Sequence, residues 1–319
     1  MADIGKFKLI KNAENIASKK PVTADIFLTN YCNNKCVYCN YRRWGESAEG
    51  AYSMSFDEFV RYAIILLKMG VKGFILTGGG EPTVCRDFDK ITAWLEAHNL
   101  AYGINTNFNE LKLISPRYLK VSVDAHSREK YREIRGVDAF EKVKDNITRY
   151  ASWKMNNGVN TSLGVQAVVT DIDEVKLFYH AMKGLPVDYI VMRPIESTNA
   201  EFYSHAESEK NRKAIISRLE AIAKKDPRLV INYKWYETES RFEKCYANWS
   251  QIALDERGNV IYCCHKPYEI VGHITDPDIL DKKKGFATNI ALCDVPCRLT
   301  GPNQIIKLMS EGTAEVMFI

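Results

Sequence analysis

Thr29-Asn30-Tyr31-Cys32-Asn33-Asn34-Lys35-Cys36-Val37-Tyr38-Cys39 sets three cysteines in C-x3-C-x2-C spacing on one short stretch. A four-iron cube is normally closed by four thiolates, so a triplet without a fourth ligand nearby predicts one iron left open to a substrate or cofactor. The competing reading is zinc. Zinc sites favour paired C-x2-C or Cys/His knuckles with a second pair downstream, and no histidine stands beside this triplet. Immediately upstream, Thr23–Leu28 reads as a strand, which puts the thiols on the loop that leaves its C-terminal end.

Downstream, strands and helices alternate. Ser55-Phe56-Asp57-Glu58 reads as a capping box ahead of Phe59, Tyr62, Leu66 and Met69 at helical spacing, with Gly70 as the left-handed stop. Further strands are predicted at Gly73–Thr77, Ala101–Thr106, Tyr118–Val123, Ser162–Val169 and Asp188–Met192. Helices are predicted over Phe88–His98, after a cap at Asp138-Ala139-Phe140-Glu141, and over Glu174–Lys183. This alternation argues for a parallel sheet with crossover helices, six β/α units rather than a closed eightfold barrel. Ala200–Lys225, ending at Asp226-Pro227, reads as a bridging helix. From Leu229 the texture changes to short strands, with Trp249–Leu254 and Val260–Cys263 flanking the turn Asp255-Glu256-Arg257-Gly258 as a hairpin.

The 319 residues carry a net charge of only +4, with both signs interspersed, which speaks against nucleic-acid or membrane binding. No apolar run reaches the ~18 residues a membrane span needs, and Met1-Ala2-Asp3-Ile4-Gly5-Lys6 lacks the apolar core of a signal peptide. A cytoplasmic protein is expected. Its nine cysteines then read as reduced thiols available to metal or catalysis rather than as disulfides.

The triplet, with Tyr38 at the aromatic position, resembles the signature of the radical S-adenosylmethionine (SAM) superfamily. That resemblance implies a [4Fe–4S] cluster on Cys32, Cys36 and Cys39, SAM chelated at the open iron, and one-electron cleavage of SAM to a 5′-deoxyadenosyl radical. It also implies flavodoxin or ferredoxin as electron donor, and an α/β fold: a partial (β/α)6 TIM-like barrel with its site at the C-terminal ends of the strands, as in α/β barrels generally. Thr77-Gly78-Gly79-Gly80-Glu81-Pro82 is a second match. Its glycines permit close backbone approach and its carboxylate can accept hydrogen bonds from an ammonium group, although a flexible turn would read the same way. It lacks the lysine and the serine or threonine of a phosphate loop. The resemblance assigns Gly79, Gly80 and Glu81 to the SAM amino group. Thr106-Asn107 closes the third strand where relatives carry Thr-Asn-Gly, but Phe108 replaces the glycine. Val121-Ser122-Val123-Asp124-Ala125, followed by Ile134-Arg135-Gly136, is similar to the segment where relatives place a serine and an aspartate near SAM, making Ser122 and Asp124 candidates; Asp124 could instead cap the next helix. Met192 stands at a strand end where the family packs adenine, and Arg193 offers a fork of donors for substrate, or a surface ion pair.

Cys245, Cys263, Cys293 and Cys297 read as ligands of a second, auxiliary [4Fe–4S] cluster, with Cys264 competing with Cys263. Gly258-Asn259-Val260-Ile261-Tyr262-Cys263 and Cys297-Arg298 resemble SPASM and twitch domains, although Cys293–Cys297 is C-x3-C where their final pair is often C-x2-C. Buried thiols packed as small hydrophobes are the plain alternative. Cys85 and Cys264 are candidate hydrogen-atom donors. The histidines, His265 included, show no metal spacing. The expected organisation is an N-terminal extension (1–22), a radical SAM partial barrel (23–200), a linking helix (201–228) and a twitch-like domain (229–319). The expected activity is hydrogen abstraction from a small polar metabolite resembling an amino sugar or cyclitol, ending in dehydrogenation. Epimerisation with a cysteine donor, peptide maturation, and a non-catalytic electron-transfer protein are the alternatives. Only about twenty residues precede the first strand, against the leader-binding domain of many peptide-modifying relatives, and the C-terminal Gly-Gly of the molybdopterin-precursor cyclase is not present.

Overall fold

A computed structural model describes residues 12–39, 41, 50–193, 209–231, 233, 242–264, 266–288 and 299–311. After a short helix α1 (Ala13–Ala17), strands and helices alternate as β1 (Thr23–Phe27), α2 (Phe56–Met69), β2 (Gly73–Thr77), α3 (Phe88–Ala97), β3 (Ala101–Thr106) and β4 (Tyr118–Ser122). They continue with α4 (Arg128–Arg135), α5 (Phe140–Asn156), β5 (Ser162–Val168), α6 (Ile172–Met182), β6 (Tyr189–Arg193), α7 (Glu209–Ala223) and β7 (Leu229–Val230). Last come β8 (Gln251–Leu254), β9 (Asn259–Cys263), β10 (Lys266–His273), α8 (Ile279–Gly285) and α9 (Thr300–Glu311).

The ten strands of the described residues join one sheet in the order β10-β9-β8-β1-β2-β3-β4-β5-β6-β7. From β1 to β7 every pairing is parallel, the α/β partial barrel that the alternation predicts. The capping box of α2 is present, and Gly70 ends the helix at φ 108°. Along each inner strand one face packs on the helices: Ile26, Leu76, Ile104, Val121, Ala167 and Met192 all belong to the main core. Because side chains alternate, Phe27, Thr77, Asn105, Lys120, Gln166 and Arg193 take the other, concave face.

Four details differ from the sequence reading. Helix α4 was not expected: its buried residues are Tyr131, Ile134 and Arg135, too few apolar positions for a periodic signal, yet Ser127 caps it by accepting from the Lys130 amide. Asp124 therefore does not cap that helix. Asp138 does not cap α5 either, since the N-cap is Ala139 without a side-chain bond, and Asp138 instead accepts Arg128 and Arg132. Finally, residues after 228 are not set apart from the barrel sheet. Leu229–Val230 extends it beyond β6, and β8 pairs in parallel with β1 (Thr23 with Gln251 through Ile26 with Leu254), which carries the β8–β9 hairpin to the edge beside the cysteine loop.

Candidate active site

The cysteine loop leaves β1 and is clamped at once from two sides. On one side Asn30 N–H donates to the Tyr52 carbonyl (3.2 Å) and Thr29 forms an antiparallel bridge with Ser53. On the other, the glycine run after β2 presses onto it: Gly80 N–H donates to the Thr29 carbonyl (2.7 Å) and Glu81 N–H to the Tyr31 carbonyl (2.9 Å). A Cβ on Gly80 would lie 1.9 Å from the Tyr31 oxygen, so only glycine allows this approach. The run thus fixes the backbone that delivers Cys32.

Glu81, 3 % exposed, is engaged inside the protein. Its Oε1 accepts from Thr83 N–H (3.1 Å), Thr83 Oγ1 (2.7 Å) and Thr106 Oγ1 (2.6 Å), and its Oε2 accepts from Asn107 N–H (2.7 Å). Burial raises its pKa while these donors oppose the rise. It bolts the loop after β2 to the loop after β3. In that second loop Phe108 adopts φ 58°, the left-handed conformation that glycine reaches most readily. The backbone cost of about 1–2 kcal/mol is met by full burial of the ring against Tyr150 (centroids 6.0 Å apart), worth about 1.5–3 kcal/mol.

From this loop an asparagine network reaches back to the thiols. Asn107 Nδ2 donates to Asn33 Oδ1 (2.7 Å) and approaches Cys32 Sγ (3.9 Å), Asn109 Nδ2 donates to Asn34 Oδ1 (2.6 Å), and Asn34 N–H donates to Cys32 Sγ (3.4 Å). Asn33, Asn34 and Asn109 carried no signal in the sequence, because the pairs form only when loops 75 residues apart meet.

The C-terminal end of α4 holds the middle of the loop. Lys35 N–H donates to the Arg135 carbonyl (2.8 Å) and Val37 N–H to the Ile134 carbonyl (3.0 Å). Arg135 Nη1 donates to Cys36 Sγ (3.0 Å), and Nη2 pairs with Asp124 Oδ2 (2.8 Å) and donates to the Ser122 carbonyl. Asp124, at φ 57°, accepts Val168 N–H on Oδ1 (2.7 Å), so both of its oxygens are engaged. Burial works against the Arg135 charge, but Asp124 and Cys36 outweigh it and hold its pKa well above the ordinary value. The Tyr38 hydroxyl is buried close to Asp124, and burial followed by that carboxylate pushes its pKa up.

The other expected residues scatter. Cys85 lies in the core, 4 % exposed, with its thiol on the Met54 carbonyl (3.6 Å). Met192 packs toward the helices, while Arg193 and Ser122 take the concave face. Cys245, Cys263 and Cys264 lie near enough to the fully buried Lys283 to act on its charge. Lys283 Nζ donates to the carbonyls of Ile261 (3.0 Å) and Tyr262 (2.6 Å) and faces the Tyr262 ring at 5.6 Å. Tyr41 Oη donates to the Cys264 carbonyl (2.6 Å), joining the cysteine loop to this region. Cys293, Cys297 and His265 lie outside the described residues.

Among the described residues no three Cys, His, Asp or Glu side chains converge as a metal-holding group. The donor set nevertheless fits an iron–sulfur cluster: three thiols share one braced loop, close enough for Cys36 and Cys39 to act electrostatically on Cys32, and N–H donors aim at two of the three sulfurs.

A parallel partial barrel that presents a braced cysteine triplet beyond its first strand belongs to the class of α/β enzymes built around an iron–sulfur cofactor. Residues 26–176 match the family model described as Radical SAM superfamily, so this stretch of the chain is a radical SAM domain. The cofactors that a radical SAM match implies are a [4Fe–4S] cluster and SAM. A protein of Saccharolobus solfataricus named Probable GTP 3′,8-cyclase is 33% identical over 132 residues, 38% of this chain and 41% of that protein. One of Thermococcus kodakarensis with the same name is 30% identical over 174 residues, 52% of this chain and 50% of that protein. The match therefore spans half or less of these curated relatives. The crystal structure of Streptococcus suis SuiB bound to S-adenosylmethionine is similar in fold, with TM-score 0.63 and 15% identity over 99% of this chain and 82% of that one. Native anSMEcpe with bound AdoMet gives TM-score 0.66 and 17% identity over 89% and 88%.

Proposed function

We propose that Cys32, Cys36 and Cys39 hold the cluster and that the protein removes a hydrogen atom from a small polar metabolite, an amino sugar or cyclitol in kind, leaving it oxidised by two hydrogens. The observation that carries the substrate class is the polarity of the concave face. Thr77, Asn105, Lys120, Gln166 and Arg193 line neighbouring strands there, and Asn105 Oδ1 and Gln166 Oε1 are buried acceptors without a hydrogen-bond partner among the described residues. Acceptors and cations on rigid strands suit hydroxyl, ammonium and anionic groups. When bound, the cluster and SAM would supply a hydrogen-abstracting radical, and a second cluster would supply an acceptor for the remaining electron while the accompanying proton passes to solvent. For that second cluster the ligands would be Cys245, Cys263 or Cys264, Cys293 and Cys297. Glu81, Thr106 and Asn107 keep the loops around the triplet in place, and Gly79 and Gly80 let the glycine run pack directly on Phe27 and the start of the cysteine loop, beside which SAM would bind.

The experiment is anaerobic reconstitution followed by iron and 5′-deoxyadenosine measurement with a panel of aminocyclitols and amino sugars, GTP and short peptides. About eight irons per chain are expected, falling to about half, with loss of 5′-deoxyadenosine, when Cys32, Cys36 and Cys39 become alanine. The expected product is lighter by two hydrogens. Full iron retention in the triple variant would overturn the cluster assignment, and turnover of GTP or a peptide alone would overturn the substrate class.

A further inference from the structure

We propose that Arg135 is a positioning residue for the cluster: held by Asp124, its guanidinium donates to the Cys36 sulfur and raises the reduction potential of the iron it binds. The inference rests on the triplet holding the cluster, as proposed above. Its geometry is separate from the thiols themselves. Arg135 is 6 % exposed and sits at the last turn of α4, where its own carbonyl and that of Ile134 receive Lys35 N–H and Val37 N–H. Those two bonds fix the height of the cysteine loop against the helix end. Gly136 makes the contact possible, because at φ +69° a Cβ would lie 2.9 Å from Lys35 Cβ and 3.0 Å from its carbonyl oxygen.

The side chain is then aimed by three acceptors: Cys36 Sγ, Asp124 Oδ2 and the Ser122 carbonyl. Asp124 cannot swing away, since its other oxygen takes Val168 N–H. An arginine used only as a partner for Asp124 would have no reason to place Nη1 at 3.0 Å from a sulfur. A second observation points to a ligand: Arg135 Nε is buried and has no acceptor among the described residues, leaving a donor open to a bound group. Donors and positive charge beside a cluster sulfur favour the reduced, more negative cluster, so this pair works on the potential of the first electron transfer.

The test is a spectroelectrochemical titration of the reconstituted protein, following the reduced cluster by electron paramagnetic resonance. Asp124→Asn/Arg135→Gln removes both charges together and leaves neutral groups of similar shape, which protects the fold. Arg135→Lys keeps the charge without the fork. The double variant is expected to load iron and to shift the reduction equilibrium about tenfold toward the oxidised cluster, ~59 mV for one electron, with Arg135→Lys shifted less. An unshifted potential in an iron-loaded double variant would overturn the inference, as would equal shifts in both variants. Should either variant load no iron, the titration is read on the other. Failure of the unmodified protein to bind iron through the triplet would instead sink the cluster assignment, so the two failures are distinguishable.

Discussion

Replacing Gly80 by alanine puts one methyl group where the structure has none to spare. The added Cβ would stand 1.9 Å from the Tyr31 oxygen, 2.5 Å from its carbonyl carbon and 2.8 Å from its nitrogen, all backbone atoms of the residue before Cys32. No rotamer relieves a clash of that kind. The loops must separate by more than 1 Å, which breaks the bonds from Gly80 N–H to Thr29 and from Glu81 N–H to Tyr31. Overpacking costs about 1–3 kcal/mol and each lost hydrogen bond about 0.5–1.5 kcal/mol, so a loss of roughly 2–6 kcal/mol is expected. That is a large share of the ~5–15 kcal/mol of a typical domain. Urea unfolding of the apoprotein measures it, with Gly184→Ala as control because nothing lies within 4 Å of the added carbon there. Iron loading should fall in parallel, since the displaced segment carries Cys32. A Gly80→Ala protein within ~0.5 kcal/mol of the parent and fully loaded with iron would refute the clamp, that being the ordinary range of a harmless surface change.

Glu81→Ala should cost about 2–5 kcal/mol and reduce iron loading as well as SAM binding, because it strands the buried Asn107 amide and two threonine hydroxyls; weaker SAM binding at unchanged stability, by calorimetry and urea unfolding, would contradict the internal role. Lys283 makes a pH prediction. Burial pulls its pKa down to about 8 against the upward pull of Cys263, Cys245 and Cys264, whereas an unfolded lysine keeps its proton to about 10.4. Between those values the unfolded chain binds more protons, so apoprotein stability should rise with pH from 8 to 10 in reducing buffer, and Lys283→Met should flatten that rise. Parallel slopes in the two proteins would remove Lys283 as the cause.

The cysteine triplet, the glycine run and the capped helix between them were legible because each is a local pattern: a spacing, a backbone requirement, a box of four residues. The same holds for the alternating strands and helices whose apolar positions repeat within a few residues. Single-residue roles were less legible. Met192 was placed beside the cofactor, yet strand alternation turns it to the helices and gives the concave face to Arg193. Asp138 had the look of a cap, but two arginines on α4 outcompete a backbone amide for its carboxylate.

By itself, then, the sequence determined the α/β partial barrel and the identity of the cysteine loop. Hydrophobic period, caps and motif spacing are properties of neighbouring residues and survive without a folded partner. Only the tertiary structure decided what surrounds the thiols: Arg135 on Cys36, Asn107 on Cys32, Glu81 between two loops, and β8 beside β1. These contacts join residues from 25 to more than 200 positions apart. They depend on which strand ends the sheet brings together, and a hydrogen bond across such a gap leaves no periodic trace in the chain that makes it.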